Sequence, residues 1–482
     1  MLSHARHLQA LLLGVALAGG CVVGSSPATA VNSVTVSAPS ESPDRGDAVT
    51  PSLGSTPASA ALAGFVTGTL MIEPAGGGAP MPVVSGTVAF FNTEYPFWNQ
   101  LFITTDGDGA FSTGQLNAGT YKVAFSSLGN DEQPVREWYP QARFEGEAEV
   151  VTLTEGVARD FGTIVLSPRD IELDRVQGAD RFATAAAVSQ SQFAAASGPE
   201  VLIVNGFDFP DALSAGPLAA RGGVVLMVEP NRVPPVIADE LTRLRPSRIT
   251  IVGGTGVVSA AVQTRLQSFV SSPSLVTRIA GTDRYDTSRR VITDENGFDS
   301  NVSTIFIVTG QNFPDALAAV PPAIKTDAAI LLVNGSANAL DIATRSLLRS
   351  LAPNAVYIVG GAGAVSAGIE NDIANPQNLG LGFNRYSGAD RFETAVNVAV
   401  SFYPAADYAY LANAFSFPDA LAAGPIAGQR NSPIYLTRPE CVPDLVFVDI
   451  IDVLANRVVA VGGPGVISEN AAQGVPCSST VG

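Results

Sequence analysis

The stretch DFPDALSAGP, Asp208 to Pro217, returns as NFPDALAAVP from Asn312 to Pro321 and as SFPDALAAGP from Ser416 to Pro425. Around each copy the chain repeats a longer pattern. Three units open at Arg175, Arg278 and Arg385 with RVQGADRFATA, RIAGTDRYDTS and RYSGADRFETA. Each then runs through an apolar segment (VLIVNG, IFIVTG, YAYLANA) into Phe-Pro-Asp. A second apolar segment follows (VVLMV, AILLV, PIYLT), and a third ends in glycines and a serine (IVGGTGVVS, YIVGGAGAVS, AVGGPGVIS). Short, continuously apolar runs that alternate with helical patterns such as VIADELTRLRP indicate parallel strands covered on both faces. Units of about 100 residues can each fold as a small α/β domain, so the pattern is a domain triplication and not a thin solenoid.

The rest of the 482-residue chain divides by composition. Residues 1–30 read as an export signal, with Arg6 before the apolar core LQALLLGVALAGG. Ala28-Thr29-Ala30 offers an ordinary cleavage site, and LAGGC, ending at Cys21, offers a lipidation site. Residues 31–61 are rich in Ser, Thr, Pro and Ala, as in a disordered linker. Residues 62–168 show short alternating strands with turn signals between them, which indicate an all-β sandwich. The repeats then occupy 175–271, 278–375 and 385–478. No segment beyond the signal is long and apolar enough for a transmembrane helix.

Charge and residue usage exclude several functions. The net charge is −17, and Lys occurs only at Lys122 and Lys325, so the basic clusters that hold nucleic acid are missing. The two histidines, His4 and His7, both fall in the signal. A mature chain would therefore lack Ser-His-Asp and Cys-His catalysis and any His-ligated metal site. The remaining cysteines, Cys441 and Cys477, form a disulfide by default in an exported protein. The glycines at Gly253, Gly360 and Gly462 lack the dinucleotide fingerprint and the P-loop lysine, so no cofactor is indicated. Asp106 and Asp108 sit in a hairpin turn better than in a calcium loop. Ser259, Ser366 and Ser468 are placed to cap the helices that follow them.

The ordered set R-x-x-G-x-D-R, F-P-D-A-L and V-G-G-x-G-x-V-S, occurring three times, resembles the type 2 cell-wall-binding repeat. That resemblance implies three tandem parallel-sheet α/β domains around a pseudo-threefold axis. It further implies a non-enzymatic surface protein held non-covalently on anionic wall polymers. Its apolar strand, implicated in polymer binding, corresponds here to Val225, Leu226 and Met227, to Ile330, Leu331 and Leu332, and to Ile434, Tyr435 and Leu436. Buried sheet is the alternative reading of those residues. Residues 62–168, with G-x-V-T, T-D-x-D-G-x-F and L-x-x-G-x-Y-K-V, resemble the carboxypeptidase-regulatory-like sandwich, a spacer or adhesive module.

Two readings stand for the charged motif residues. Asp211, Asp315 and Asp419 can stabilise helix starts, or contact ligand at the carboxyl ends of parallel strands. Arg181, Arg284 and Arg391 start another helix and can pair with those aspartates to lock each unit. An acidic chain gains nothing from net charge on an acidic polymer, so local Arg clusters, apolar contacts or bridging divalent cations must offset repulsion. An adhesin whose sandwich binds an external ligand is the alternative function, and a wall hydrolase is a third.

Overall fold

The computed structural model describes residues 65–480, apart from 75–77, 94–99, 115, 128–134, 168–170 and 209. The expected signal, Cys21 and the whole of the expected linker lie outside the described residues.

The N-terminal module is built from β1 (Val66–Ile72), β2 (Met81–Pro82), β3 (Thr87–Asn92), β4 (Gln100–Thr104), β5 (Ala110–Thr113), β6 (Gly119–Ser127), β7 (Val135–Trp138), β8 (Val151–Leu153) and β9 (Arg159–Leu166). One sheet has the order β2-β1-β5, with β9 parallel to β1; the other has the order β4-β3-β6-β7, with β8 on β6. Inward-facing Leu70, Phe90, Phe111, Tyr121, Phe125 and Phe161 fill the space between them. Phe161 meets Phe90 and Phe125 edge-on at 6.0 and 5.9 Å, as aromatic quadrupoles favour. At the turn between β4 and β5, Asp106 Oδ1 accepts from the amides of Asp108 and Ala110, both at 2.9 Å. The carboxylate thereby closes a tight turn, but β4 and β5 belong to different sheets, so it links the two sheets and is not the hairpin expected from the sequence.

The repeats follow one plan. The first has β10 (Glu172–Val176), α1 (Arg181–Gln192), β11 (Glu200–Asn205), α2 (Pro210–Ala215), β12 (Val224–Val228), α3 (Pro235–Leu244), β13 (Arg248–Val252) and α4 (Ala260–Leu266). The second has β14 (Val276–Ile279), α5 (Arg284–Thr293), β15 (Thr304–Thr309), α6 (Pro314–Lys325), β16 (Ala329–Val333), α7 (Ile342–Leu351), β17 (Ala355–Val359) and α8 (Ala367–Ala374). The third has β18 (Asn384–Tyr386), α9 (Arg391–Phe402), β19 (Tyr408–Asn413), α10 (Phe417–Gln429), β20 (Ile434–Thr437), α11 (Asp444–Asp452), β21 (Arg457–Val461) and α12 (Glu469–Ala472).

The sheets do not coincide with the sequence repeats. The opening strand of each unit pairs with the sheet of the unit before it: β14 with β13, and β18 with β17. The ring closes when β10 pairs in parallel with β21, almost 300 residues later in the chain. The three sheets therefore read β12-β11-β13-β14, β16-β15-β17-β18 and β20-β19-β21-β10. The opening arginines seal the joints. Arg278 and Arg385 each donate at 2.6 Å to the carbonyls of Gly253 and Gly360, and Arg175 donates at 2.7 Å to Gly462.

Helices α6 and α10 pack against each other, and the 3-10 turn Gly216–Arg221 that follows α2 packs on both. There Val320 of α6 occupies the space left by Gly216 and Gly424, where an added Cβ would approach it to 2.8 and 3.1 Å. One bulky residue and two glycines thus share this contact, so the three similar units meet without equivalent side chains.

The strand residues expected to meet polymer do not reach the surface. Val225, Leu226, Met227, Ile330, Leu331, Leu332, Ile434, Tyr435 and Leu436 are all buried, none more than 2% exposed. Helices cover both faces of each parallel sheet, so these side chains form core, and the contact set is corrected accordingly.

The sandwich sits against the third repeat through its outer face. Trp138 Nε1 donates to Asp407 Oδ1 at 2.9 Å, and the amide of Glu145 donates to Oδ2 of the same carboxylate. Phe144 stacks on Tyr408 with centroids 5.5 Å apart, and Arg143 pairs with Glu172 at 2.8 Å. Side chains from three separate stretches interlock here, so the sandwich is mounted and not merely tethered.

Candidate functional site

The repeated motifs meet between repeats. In G-x-D-R the Asp is an N-cap: Asp180 accepts from the amide of Ala183, Asp283 from that of Asp286, and Asp390 from those of Phe392 and Glu393. The glycine lets the chain pass close over the new helix, since a Cβ at Gly178 would lie 2.2 Å from the Ala183 backbone. Its amide donates to a threonine three residues past the Arg: Gly178 to Thr184 (3.1 Å), Gly281 to Thr287 (3.1 Å) and Gly388 to Thr394 (3.0 Å). Sequence reasoning missed these threonines, although RFAT, RYDT and RFET display them at one position.

The arginines do not pair with the aspartate of their own unit as expected. Each donates instead to the carbonyl that ends the next strand: Arg181 to Gly206, Arg284 to Gly310 and Arg391 to Ala414, all at 2.7 Å. Their charges act on the Phe-Pro-Asp carboxyl of the preceding unit around the ring, Arg284 on Asp211, Arg391 on Asp315 and Arg181 on Asp419. Thr287 lowers the Asp211 carboxyl and Thr184 the Asp419 carboxyl in the same crossing sense. The unit boundary hid this, because one partner of each pair belongs to the next repeat.

The glycine loops complete the wall. Gly253, Gly360 and Gly462 have φ of 123°, 115° and 123°, a region L side chains rarely adopt. A Cβ on each would lie 2.8, 2.7 and 2.8 Å from Oδ2 of Asp211, Asp315 and Asp419. The carboxyl therefore presses on the one position that only glycine fills. Ser259, Ser366 and Ser468 accept from Val262, Ile369 and Ala471, capping the helices beyond the loops.

Among the described residues, clefts are seen at two of these junctions. The third-to-first cleft has a cavity of ≈ 770 Å³ bordered by Gln177, Asp180, Arg181, Thr184, Ser416 and Asp419. The second-to-third cleft, ≈ 400 Å³, is bordered by Gln311, Asp315, Asp390, Arg391 and Thr394. Desolvation raises all three motif carboxyls, Asp419 to about 6; Thr and Arg oppose it at Asp211 and Asp419, and Arg391 alone at Asp315. Asp419, at about 6, becomes neutral in mild acid, leaving Arg181 and the Asp180 carboxylate as the charges facing the larger cleft. Each cleft thus presents hydroxyls, backbone groups, one guanidinium and two carboxyls: Arg181 with Asp180 and Asp419, and Arg391 with Asp315 and Asp390. Among the described residues no group of three or more His, Cys, Asp and Glu is placed to hold a metal.

Known proteins fit this geometry. The chain is 30% identical over 284 residues to the N-acetylmuramoyl-L-alanine amidase LytC of Bacillus subtilis, covering 58% of this chain and 54% of that one. It is 29% identical over 272 residues to the amidase enhancer of the same organism, covering 56% of this chain and 35% of that one. The chain thus spans about half or less of the length of these relatives, and the LytC match falls on the binding repeats. Among solved structures, Cwp8 from Clostridium difficile superposes with TM-score 0.55 at 23% identity, covering 72% of this chain and 57% of that one. Cwp6 from the same organism gives 0.55 at 23%, covering 80% and 62%. These two show the fold. The family described as Cell wall binding domain 2 matches residues 175–263, 278–370 and 385–472. With more than half of its length in those three matches, the chain belongs to the cell wall binding domain 2 family.

Proposed function

We propose that this is an exported, non-enzymatic surface protein. Its repeat ring holds it non-covalently on anionic cell-wall polymer, and its sandwich is displayed on a rigid mount. The observation that carries the reading is the threefold recurrence of one inter-repeat construction, in which Arg, Thr and Asp from two units converge beside a glycine loop. A single active site would have no use for three copies, whereas a repetitive polymer can engage several. The relevant contacts are Arg181, Arg284 and Arg391 with Asp211, Asp315 and Asp419, together with the threonines beside them. Residues 1–30 are the export signal in this reading, and the sandwich, which resembles the carboxypeptidase-regulatory-like module, is the spacer.

Deleting residues 175–482 should release the protein from cells into the medium, scored by fractionation. Retention of the truncated protein on the wall would end the anchoring idea. Washing loaded walls with a chelator separates the two modes of charge compensation: direct Arg contacts predict unchanged retention, and bridging divalent cations predict release.

Export also suits the C-terminal cysteines. Cys441 and Cys477 have sulfurs 2.01 Å apart, at bonding distance, and they tie the loop after β20 to the chain end. Thiol titration of the exported protein should find neither free. Reduction should lower unfolding stability by about 3–4 kcal/mol through loop entropy, read by urea denaturation with and without reductant.

A further inference from the structure

The sandwich guards some of its strand edges and leaves one bare. An unpaired edge invites pairing with another chain, and folded proteins blunt such edges with charge, proline or bulges. β9 follows that rule. It pairs only with β1 among the described strands, carries Arg159 and Asp160, and shifts register near Gly162, whose φ is 65°. β8 spans three residues between Glu149 and Glu155. β5 is uncharged, but its exposed side chain is Ser112.

β4 has none of these devices. It pairs only with β3 among the described strands. Residues 100–105 (QLFITT) hold no charge, proline or glycine, in a chain of net charge −17. Phe102 is 45% exposed, while Leu101 and Ile103 pack on the sandwich core. The amide of Thr105 donates to the Gly86 carbonyl at 2.9 Å, so Thr105 turns its polar backbone groups toward β3. Antiparallel alternation turns Ile103 and Leu101 the same way and points the N–H and C=O of Phe102 and Thr104 outward. The order β4-β3-β6-β7 sets this edge opposite β7, the strand docked on the third repeat, about 14 Å away.

The chemistry of the strand selects its occupant. A strand that pairs with itself about a two-fold axis faces its own residues, and like charges directly opposite each other destabilise the pair. Copies of an acidic chain therefore associate best through a charge-free strand, which β4 is. A charged peptide would find no counter-charge on it. With Phe102 opposite Phe102 of a second copy, the two residues exchange both backbone hydrogen bonds and their rings meet on the outer face. Phe102 already meets Phe91 edge-on at 6.2 Å, and Phe91 lies 5.2 Å from Trp138, so the pair extends an existing aromatic row. We propose that β4 is a self-association edge, through which two copies of this chain join their β4-β3-β6-β7 sheets antiparallel about a two-fold axis at Phe102. That axis stands normal to the sheet and leaves both outer faces, and with them both repeat rings, on one side. Neighbouring copies on one wall would thus pair side by side; that setting rests on the wall-binding reading above, and the pairing itself does not.

The test is made in solution on the purified full chain carrying Cys21→Ser, which removes the one cysteine outside the C-terminal disulfide. A five-residue strand contact is smaller than a stable interface, so sedimentation equilibrium should find a dimer with Kd of about 10–100 µM. Phe102→Lys should weaken it by about tenfold or more. Under air oxidation Phe102→Cys should cross-link two copies, because directly opposed strand residues have Cα atoms about 5.5 Å apart. Thr104→Cys, also exposed, should not, since the two-fold sets its mate about 14 Å away along the strand. A wild type that stays monomeric up to about 1 mM overturns the proposal. So does Thr104→Cys cross-linking as readily as Phe102→Cys, or a dimer left intact by Phe102→Lys that is folded by circular dichroism. None of these outcomes depends on wall binding, which the truncation above tests separately.

Discussion

Gly462→Ala should destabilise the chain by about 3–5 kcal/mol, while Gly465→Ala, three residues on in the same loop, should change stability by less than about 0.5 kcal/mol. Two physical effects act at Gly462. Its φ of 123° lies in a region costly for any residue with a Cβ. The added methyl would also meet Asp419 Oδ2 at 2.8 Å, and that carboxyl is buried and has little room to swing aside. At Gly465 a Cβ finds nothing within 4 Å. Urea denaturation of both variants measures the contrast. The Asp419→Ala background then separates the two effects, because removing the carboxyl relieves the contact and leaves the backbone strain. If Gly462→Ala proves as mild as Gly465→Ala, the inter-repeat junction is not the tight joint described here. The copies at Gly253 and Gly360 should behave alike, since their added methyls meet Asp211 and Asp315 at 2.8 and 2.7 Å.

This joint also shows where the sequence was readable and where it was not. The parallel sheets were legible because VLIVN, IFIVT and YAYLAN are apolar without alternation, the mark of strands covered on both faces. The helix caps at Ser259, Ser366 and Ser468 were legible because capping is a local matter of three or four residues. The assignment of Arg181 to the unit of Asp211, when it acts on Asp419, was not recoverable from spacing. A ring closed by β10 on β21 gives no local signal, and either partner satisfies the motif count. The apolar strand residues were ambiguous for a different reason: a continuous apolar run reads the same whether it is core or contact, and only packing distinguishes them. Likewise nothing near Trp138 in the chain announces Asp407, because their hydrogen bond joins modules that lie far apart in sequence.

Stability should rise as pH falls from 7 toward 4.5, the reverse of ordinary acid denaturation over that window. Burial raises the carboxyls of Asp419 and Asp449 to about 6, opposed by Thr184 at the first and by the Tyr435 hydrogen bond at the second. Asp211, Asp315 and Asp452 are raised in the same direction by the same cause. In the unfolded chain these groups titrate near the ordinary value of about 3.9. The folded state therefore binds their protons more tightly than the unfolded state does. Linkage then makes stability increase as pH drops through about 6 and level off near 4, where both states are protonated. For Asp419 and Asp449 the gain is about 3 kcal/mol each at most, since a tenfold difference in proton affinity between the two states is worth about 1.4 kcal/mol. Asp419→Asn keeps the shape, discards the charge and should flatten part of the curve while stabilising the chain at pH 7. A melting series between pH 4.5 and 8 on wild type and Asp419→Asn decides the matter, and a wild-type curve that falls steadily toward acid would refute it. The same protonation removes a negative charge beside Arg181 in the larger cleft, where Asp180 remains the other facing carboxylate. Retention on an anionic wall should accordingly strengthen over the same interval, so fold and attachment respond to acid together because one buried carboxyl serves both.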